Sequence, residues 1–328
     1  MTFFVLPNIN INIKPKNLRL ELNELGENNK YEDHIHISKN TSKYLNQIKK
    51  EIENYGNDWN KIKKYTNPYE FIHTIIPKYK VSICKYKPIS RAFFKLIEIY
   101  NTFKLLNMKH NIKTFHLAEG PGGFIEATAY QRRNKNDKYY GMTLINKDKN
   151  TPGWNKFDKF FNDYPNVAIE SGVDKTGNLY SSENFKYCVK KYKNSMNIIT
   201  ADGGFDFSVD FEKQELLAIR LILSQVFYAL GMQKFNGCFV LKVFDIFTKA
   251  TLDIIYLLSC FYKQVIIVKP NTSRYANSEK YIVCKFFKYC DTGNLVEKIY
   301  GILKVLENTN YDKYYISSII NLDIQNIY

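Results

Sequence analysis

Hydrophobic residues follow a regular pattern from about residue 89 to the end of the chain. Phe93, Phe94, Ile97 and Tyr100 are apolar at helical spacing and predict a helix over residues 89–106. Beyond it, short apolar runs predict strands at residues 114–118, 139–144, 166–170, 198–201, 238–243, 264–269 and 281–287. Amphipathic stretches predict helices ending near residue 132 and at residues 183–191, 213–233, 249–261, 297–306 and 314–326. This alternation predicts an α/β fold, with a mostly parallel sheet covered by helices on both faces.

The first part of the chain has a different character. Residues 1–80 are rich in Asn, Lys and Glu, and their periodicity is broken except for an amphipathic helix predicted at residues 42–55. We therefore predict an N-terminal extension at 1–80, a main domain at 81–290 and a C-terminal helical tail at 291–328 that packs on the domain.

Two histidines in the extension raise the question of a metal. His34 and His36 alternate along a predicted strand, as two ligands of one metal do. No acidic or cysteine partner stands near them with suitable spacing, and metals in proteins usually need more ligands than two. The sequence therefore predicts no metal site.

The charge of the chain favours a polyanionic partner. Its 328 residues carry 47 Lys and Arg against 32 Asp and Glu, a net charge of +15. Nucleic acid is the first expectation and an anionic membrane surface the second, while a basic but passive surface is the alternative. Aromatic residues make up 16% of the chain, and those outside the core are available to stack on bases.

The cysteines and the hydropathy indicate an intracellular protein. Six cysteines are scattered without a CxxC pair, so zinc ribbons and thioredoxin-type chemistry are disfavoured. The N-terminus lacks the features of a signal peptide, and the best apolar run, residues 254–261, is too short to span a membrane. We expect a reduced, intracellular protein without a membrane partner.

A glycine-rich loop follows the first predicted strand of the main domain. In FHLAEGPGGF, Gly120, Gly122 and Gly123 allow the backbone to approach a ligand, and the following helix offers free N–H groups. The loop is neither GxGxxG nor a P-loop, which disfavours dinucleotides and nucleoside triphosphates. A tight turn without a ligand is the alternative. Asp174, in GVDKTG, has two interpretations, an acceptor for an adenine amine or an ordinary Asx turn.

Four polar residues stand in apolar surroundings. Lys95 lies in the helical run RAFFK, and Lys242 interrupts the apolar strand FVLKV. Asp202 ends the strand before TADGG, and Glu279 precedes the last predicted strand. A lysine inside so apolar a strand is costly unless it is paired or functional, although an edge-strand lysine that reaches water is the alternative.

These residues carry a family resemblance. FHLAEGPGGF, TADGGF, FVLKVFDIF and KPNTSRYANSEKYIVCK resemble FtsJ-like ribose methyltransferases, in the expected order between residues 66 and 287. The last three segments look closest to eukaryotic and viral enzymes that methylate the first transcribed nucleotide of capped mRNA. NPYEFI and SRAFFKLIEI look like forms found in large DNA viruses.

The resemblance implies a Rossmann-like methyltransferase fold with a seven-stranded sheet whose last strand is antiparallel. It implies a catalytic tetrad of Lys95, Asp202, Lys242 and Glu279, with Lys242 as the base. The methyl donor would be S-adenosyl-L-methionine, held by the following residues: Gly120, Pro121, Gly122, Gly123, Phe124, Asp174 and Asp202. The acidic residue that often ends the second strand is replaced here by the run GMTL, so the resemblance assigns no residue to the cofactor ribose.

The tetrad suits ribose methylation on chemical grounds. The 2′-hydroxyl must lose its proton while it lies in line with the sulfonium methyl, so alignment carries much of the rate. A lysine acts as a base only in its neutral form, which burial and a second lysine favour. No metal is needed.

The resemblance also implies partners and a location. The substrate would be the 5′ end of capped mRNA, contacted in part by the N-terminal extension. A separate chain would supply the capping enzyme or the guanine-N7-methyltransferase. We expect the cytoplasm, or a viral factory or virion for a viral protein, rather than the nucleus. The alternatives are methylation of ribosomal or transfer RNA and a non-catalytic RNA-binding subunit, against which the intact tetrad argues.

Overall fold

A computed structural model describes residues 1–26, 31–145, 153–154, 158–204 and 213–321. The strands in these ranges are β1 (Thr2–Val5), β2 (Leu18–Glu24), β3 (Lys113–Leu117), β4 (Lys138–Met142), β5 (Val167–Ile169), β6 (Met196–Ala201), β7 (Gln233–Val243), β8 (Tyr262–Lys269), β9 (Lys280–Phe287) and β10 (Tyr314–Ile320). The α-helices are α1 (Lys39–Lys50), α2 (Trp59–Tyr65), α3 (Ala92–Phe103), α4 (Gly123–Arg132), α5 (Asp158–Asp163), α6 (Ser182–Tyr192), α7 (Gln214–Met232), α8 (Lys249–Phe261) and α9 (Gly293–Glu307). Short 3-10 helices cover Pro15–Asn17, Tyr31–His34, Glu51–Asp58 and Glu70–Ile72.

The main sheet has the strand order β1-β8-β9-β7-β6-β3-β4-β5. The strands from β7 to β5 run parallel to their neighbours, whereas β9 is antiparallel to both β7 and β8. The predicted α/β fold with an antiparallel last strand is thus confirmed. The edge strand β1, which pairs antiparallel with β8, brings the strands described in this sheet to eight.

Helices cover both faces of the sheet because each buries one apolar stripe against it. The helices α6, α7, α8 and α9 belong to one hydrophobic core and α3 and α4 to a second. Helix α8 has the predicted bounds, and its start is fixed by Thr248, whose side chain accepts a hydrogen bond from the Thr251 N–H.

The helix predicted at residues 314–326 was wrong. Residues 314–320 form β10, which pairs antiparallel with β2, and residues 322–328 lie outside the described ranges. The segment YYISSII is rich in β-branched and aromatic residues, which favour strands when a partner strand is present. The partner comes from the other end of the chain, so local periodicity did not reveal it.

Helix α7 corrects the expectation about membrane-length segments. In the described part of the chain, this helix of 19 residues is long and apolar enough to cross a membrane, but 83% of the apolar stretch is buried within the protein. Its buried residues belong to the larger core.

Residues 31–50 pack near the C-terminal end of β7. The Lys49 ammonium lies 2.7 Å from the Asp245 carboxylate, just after that strand. The hydroxyl of the buried Tyr31 donates to Glu215 at the start of α7, over 2.6 Å. His34 contacts the ring of Tyr315 in β10.

Candidate active site

The site lies at one edge of the main sheet, where the parallel strands β3, β6 and β7 end. Asp202 follows β6 directly, and Lys242 is the last residue but one of β7. Because β9 runs in the opposite direction, its first residues return to this same edge, and Glu279 immediately precedes it. The strand topology therefore brings together three polar residues that are far apart in sequence.

Lys242 and Asp202 form one pair of the tetrad. The Lys242 Nζ donates to the Asp202 backbone carbonyl over 2.7 Å and lies 3.3 Å from the Asp202 Oδ1. The same Oδ1 accepts a hydrogen bond of 2.8 Å from the Tyr281 hydroxyl. Burial and the Asp202 charge raise the pKa of Tyr281, so the phenol stays protonated and donates. These contacts fix both side chains at the ends of β6 and β7.

Lys95 and Glu279 form the second pair. Lys95 projects from α3, and its Nζ lies 2.8 Å from the Glu279 Oε2. The Ser273 hydroxyl donates to the other carboxylate oxygen over 2.6 Å. Burial alone would raise the pKa of Glu279, but the charges of Lys95 and Lys242 and the hydrogen bonds from Lys95 and Ser273 outweigh it and lower the pKa to about 2. Glu279 therefore stays ionised at neutral pH and interacts with both lysines.

The loop between β8 and β9 is held by Lys269, which sequence reasoning missed. Its Nζ donates to the backbone carbonyls of Asn277 and Glu279, each over 2.7 Å, and to the Asn277 side chain over 2.6 Å. Burial lowers the pKa of Lys269 to about 8, although the Glu279 charge opposes the shift. The sequence signal that could have identified Lys269 is its position as the last residue of an apolar strand.

A second group missed from the sequence centres on Glu70. This buried carboxylate accepts hydrogen bonds from Arg91 over 2.8 Å and from two nitrogens of Arg274 over 2.7 and 3.0 Å. Thr74 and Asn67 also donate to it. These hydrogen bonds lower the pKa of Glu70 well below its usual range, against the opposing effect of burial. Arg91 lies one helical turn before Lys95, and Arg274 lies five residues before Glu279. Glu70 therefore connects the two segments that carry Lys95 and Glu279.

The glycine loop is packed tightly against α3. A Cβ atom at Gly123 would lie 2.1 Å from the Ser90 Oγ and 3.2 Å from the Phe93 nitrogen, so a larger residue there would require Ser90 to move. The N–H groups expected to be free are partly used by the protein. The Glu119 Oε1 accepts from Phe124 N and Ile125 N, each over 2.8 Å. Burial raises the pKa of Glu119, and the nearby Asp202 charge adds to this effect.

Asp174 lies in an exposed turn beside the end of β4. Its Oδ1 accepts from Thr176 N, Thr176 Oγ1 and Asn184 Nδ2 at distances from 2.7 to 2.9 Å, as in an Asx turn. The Thr176 carbonyl accepts from Ile145 N over 2.7 Å, and Gly177 approaches the Thr143 carbonyl so closely that a Cβ would lie 1.9 Å from it. The turn is thereby joined to the strand end next to the glycine loop. Its role toward a cofactor stays a prediction.

A cavity of about 460 Å³ lies between the N-terminal extension and the loop before β9. Tyr55 and Trp59 line one side, and Tyr275, Ser278 and Lys280 line the other. Ser278 and Lys280 are the sequence neighbours of Glu279, so the loop that carries Glu279 forms one wall of the cavity. Among the residues that the structure describes, no group of three or more His, Cys, Asp and Glu is arranged to hold a metal ion.

The sequence is similar to known methyltransferases. A family model described as FtsJ-like methyltransferase matches residues 88–287. A Mus musculus protein named cap-specific mRNA (nucleoside-2′-O-)-methyltransferase 1 is 31% identical over 272 residues, which cover 78% of this chain and 32% of that protein. The protein of the same name from Dictyostelium discoideum is 32% identical over 271 residues, 75% of this chain and 34% of the relative. The chain thus spans about a third of the length of these relatives.

Solved structures are also similar, and one of them illustrates the match. It is described as a ribosomal RNA methyltransferase from Plasmodium falciparum and is 23% identical, with a TM-score of 0.43. The match covers 60% of this chain and 97% of that one.

Proposed function

This chain belongs to the FtsJ-like methyltransferase family, and from that premise we propose that it methylates the ribose 2′-hydroxyl of the first transcribed nucleotide of capped mRNA. S-adenosylmethionine would be the methyl donor. The observation that carries the proposal is the double pairing at the sheet edge, Lys242 with Asp202 and Lys95 with Glu279. The relatives named for cap-specific methylation support the choice of substrate.

The residues at the glycine loop fit the proposed donor. S-adenosylmethionine, when bound, supplies an electrophilic methyl group on a positively charged sulfur. The glycine backbone from Gly120 to Gly123 suits the close approach of a ligand, and the Asp202 carboxylate suits a nearby positive charge. Hydrogen bonds from the described residues to Asp174 reach its Oδ1, which leaves its Oδ2 for an adenine amine.

In this proposal, Lys242 accepts the proton of the 2′-hydroxyl. A lysine nitrogen has three hydrogen-bonding positions, and Asp202 engages the amine through its carbonyl and its carboxylate. This leaves one position for the ribose hydroxyl. Lys95 donates a hydrogen bond to Glu279, and Tyr281 holds the Asp202 carboxylate in place. Proximity and orientation of the two reactants then supply the rest of the acceleration.

The aromatic cavity beside the tetrad supports a capped substrate. Aromatic rings such as those of Tyr55, Trp59 and Tyr275 bind positively charged groups and stack on bases. An N7-methylated guanine is both positively charged and aromatic. The loop that carries Glu279 forms one wall of this cavity. A cap base bound in the cavity would therefore position the first transcribed nucleotide near the tetrad.

Two sets of measurements test the proposal. Purified protein with labelled S-adenosylmethionine is given capped, N7-methyl-capped, uncapped and ribosomal RNA. We expect labelling of the capped RNAs at the first ribose, whereas equal labelling of capped and uncapped RNA would contradict the cap proposal. Preferential labelling of ribosomal RNA would favour the ribosomal alternative.

The second set tests the assigned base. Lys242→Ala should reduce turnover by about 10²-fold or more, since positioned bases contribute roughly 10² to 10⁴. Binding of S-adenosylmethionine, measured by calorimetry, should stay largely intact. Lys234→Ala is the matched control, because Lys234 is an exposed lysine near the opposite end of the same strand. Turnover of Lys242→Ala close to that of the control would refute the assignment.

A further inference from the structure

The segment from residue 61 to residue 87 carries an unusual charge. It contains seven lysines and a single acidic residue, Glu70. That carboxylate is buried and already neutralised by Arg91 and Arg274, so it does not offset the lysines on the surface. We call residues 61–87 the basic segment.

Exposed aromatic rings are interleaved with these lysines. Tyr65 is 69% exposed and Tyr79 is 74% exposed, and Tyr69 is also on the surface. Tyr79 stands at the tip of a turn closed by the hydrogen bond from Ile76 N to the Val81 carbonyl. Exposed tyrosines between lysines are the combination that binds single-stranded nucleic acid, by stacking on bases and by neutralising phosphates.

The backbone at the tip holds this arrangement in place. Lys78 and Lys80, on either side of Tyr79, both have left-handed backbone angles, with φ of 72° and 54°. Residues other than glycine seldom adopt this conformation, which costs conformational energy. Ile83 N and Cys84 N donate to the carbonyls of Phe71 and Ile72, so the turn is folded back on the rest of the segment.

The basic segment is fastened to the candidate active site at two points. Glu70 binds Arg91 and Arg274, which flank the Lys95–Glu279 pair. Farther along, the Tyr86 hydroxyl donates to Glu126 in α4, the helix that begins at the glycine loop, over 2.8 Å. The segment is therefore attached both beside the Lys95–Glu279 pair and to the helix that follows the glycine loop.

Positive charge accumulates where the segment meets the site. The pKa of Lys63 is lowered first by burial and then by the nearby charges of Arg274 and Lys64. Cations crowded in this way gain stability from an anion that binds among them.

We propose that the basic segment binds the single-stranded RNA that follows the methylated nucleotide. Its lysines would contact phosphates, and Tyr65, Tyr69 and Tyr79 would stack on bases. This inference rests on the proposed function, because that function supplies the RNA. The contacts of Glu70 with Arg91 and Arg274 would place the bound RNA in line with the tetrad.

The test compares a lysine pair in the basic segment with a matched pair elsewhere. Lys78→Ala/Lys80→Ala removes two exposed cations. Alanine, like lysine, has a Cβ atom, so the substitution leaves the steric cost of the left-handed backbone angles much the same. Lys135→Ala/Lys138→Ala removes two exposed cations, one in the turn before β4 and one at the first residue of β4, at the opposite edge of the sheet from the site. Each protein is given a capped dinucleotide and a capped RNA of roughly 20 nucleotides, which exceeds common single-strand site sizes.

We expect the Lys78/Lys80 variant to bind the long RNA more weakly and to lose about 1.4 from the slope of log affinity against log salt, about 0.7 for each phosphate contact. Tyr79→Ala should weaken binding about tenfold, and Tyr79→Trp should restore it, because stacking is worth roughly 1–3 kcal/mol per base. Turnover of the capped dinucleotide should not change in any variant.

Several results would overturn the inference. Equal weakening by the Lys78/Lys80 and Lys135/Lys138 variants would mean that net charge alone attracts RNA. Unchanged binding of the long RNA in the Lys78/Lys80 variant would also refute it. A loss of binding to phosphatidylserine vesicles without a loss of RNA binding would assign the segment to a membrane. Failure of the parent protein to methylate either capped substrate would instead refute the proposed function, since the binding measurements stand apart from turnover.

Discussion

Glu70 offers a way to separate the stability of this protein from the alignment of its site. In Glu70→Gln, a neutral amide replaces a side chain that is 0% exposed, whereas its partners Arg91 and Arg274 are 25% and 29% exposed. Removing one partner of a buried ion pair costs about 3–5 kcal/mol. Because water reaches both guanidinium groups in part, we expect the lower end, about 3 kcal/mol.

This cost converts into a measurable change in melting temperature. The entropy of unfolding is about 2.1 cal/mol/K per residue, so about 3 kcal/mol lowers the Tm of a chain of this size by roughly 4 °C. The rate should fall as well, by about tenfold at temperatures well below the Tm, because the groups that hold Lys95 and Glu279 lose their common anchor. Differential scanning fluorimetry and single-turnover methylation measure the two effects.

Asp137→Asn is the control. Asp137 is also 0% exposed and ion-paired, with Arg132 at 2.7 Å, but it precedes β4 at the far edge of the sheet. Its loss should lower the Tm similarly and leave the rate of methyl transfer unchanged. If both variants show the same rate, the positioning role of Glu70 is wrong. An unchanged Tm in Glu70→Gln would refute the energetic reasoning.

Two further predictions concern stability. Gly123→Ala should destabilise the protein by about 1–3 kcal/mol through overpacking and should weaken binding of the methyl donor. A second change, Ser90→Ala, should recover part of the lost stability. Equal Tm values for Gly123→Ala and the parent protein in fluorimetry would contradict this. The folded-state pKa values of Glu70 and Glu279 lie below the ordinary value of 4.5, so their contribution to stability is present above that pH and is lost as the pH falls toward about 2. Urea unfolding at a series of pH values should show this loss, and a Glu70→Gln/Glu279→Gln variant with an equally steep profile would disprove it.

Most of the main domain could be predicted from the sequence because its elements are locally determined. The bounds of α8 were predicted without error, and those of β3, β4 and β6 to within two residues. Strong apolar periodicity between turn-forming residues leaves few other structures for these segments. The positions of Asp202, Lys242 and Glu279 followed from the same pattern, since polar residues at strand ends in such a sheet share an edge.

The features that were missed depend on contacts between distant parts of the chain. The strand β10 pairs with β2, and β1 pairs with β8, and neither pairing has a local signal. Glu70 looked like one charged residue among many, because its partners Arg91 and Arg274 are 21 and 204 residues away. The resemblance included the segment around Glu70 without saying what its carboxylate contacts.

The reversal of β9 has a consequence for how freely the chain length can vary. In the parallel part of the sheet, a connection leaves the edge that carries the candidate active site and returns through a helix to the opposite edge, so extra residues can be absorbed far from that site. The loop between β8 and β9 begins and ends at the edge that carries the candidate active site, with Lys269 and Glu279 as its two fixed points. An insertion or deletion there shifts a tetrad member directly. We therefore expect an inserted domain or reporter to be tolerated better at the opposite edge than in this loop.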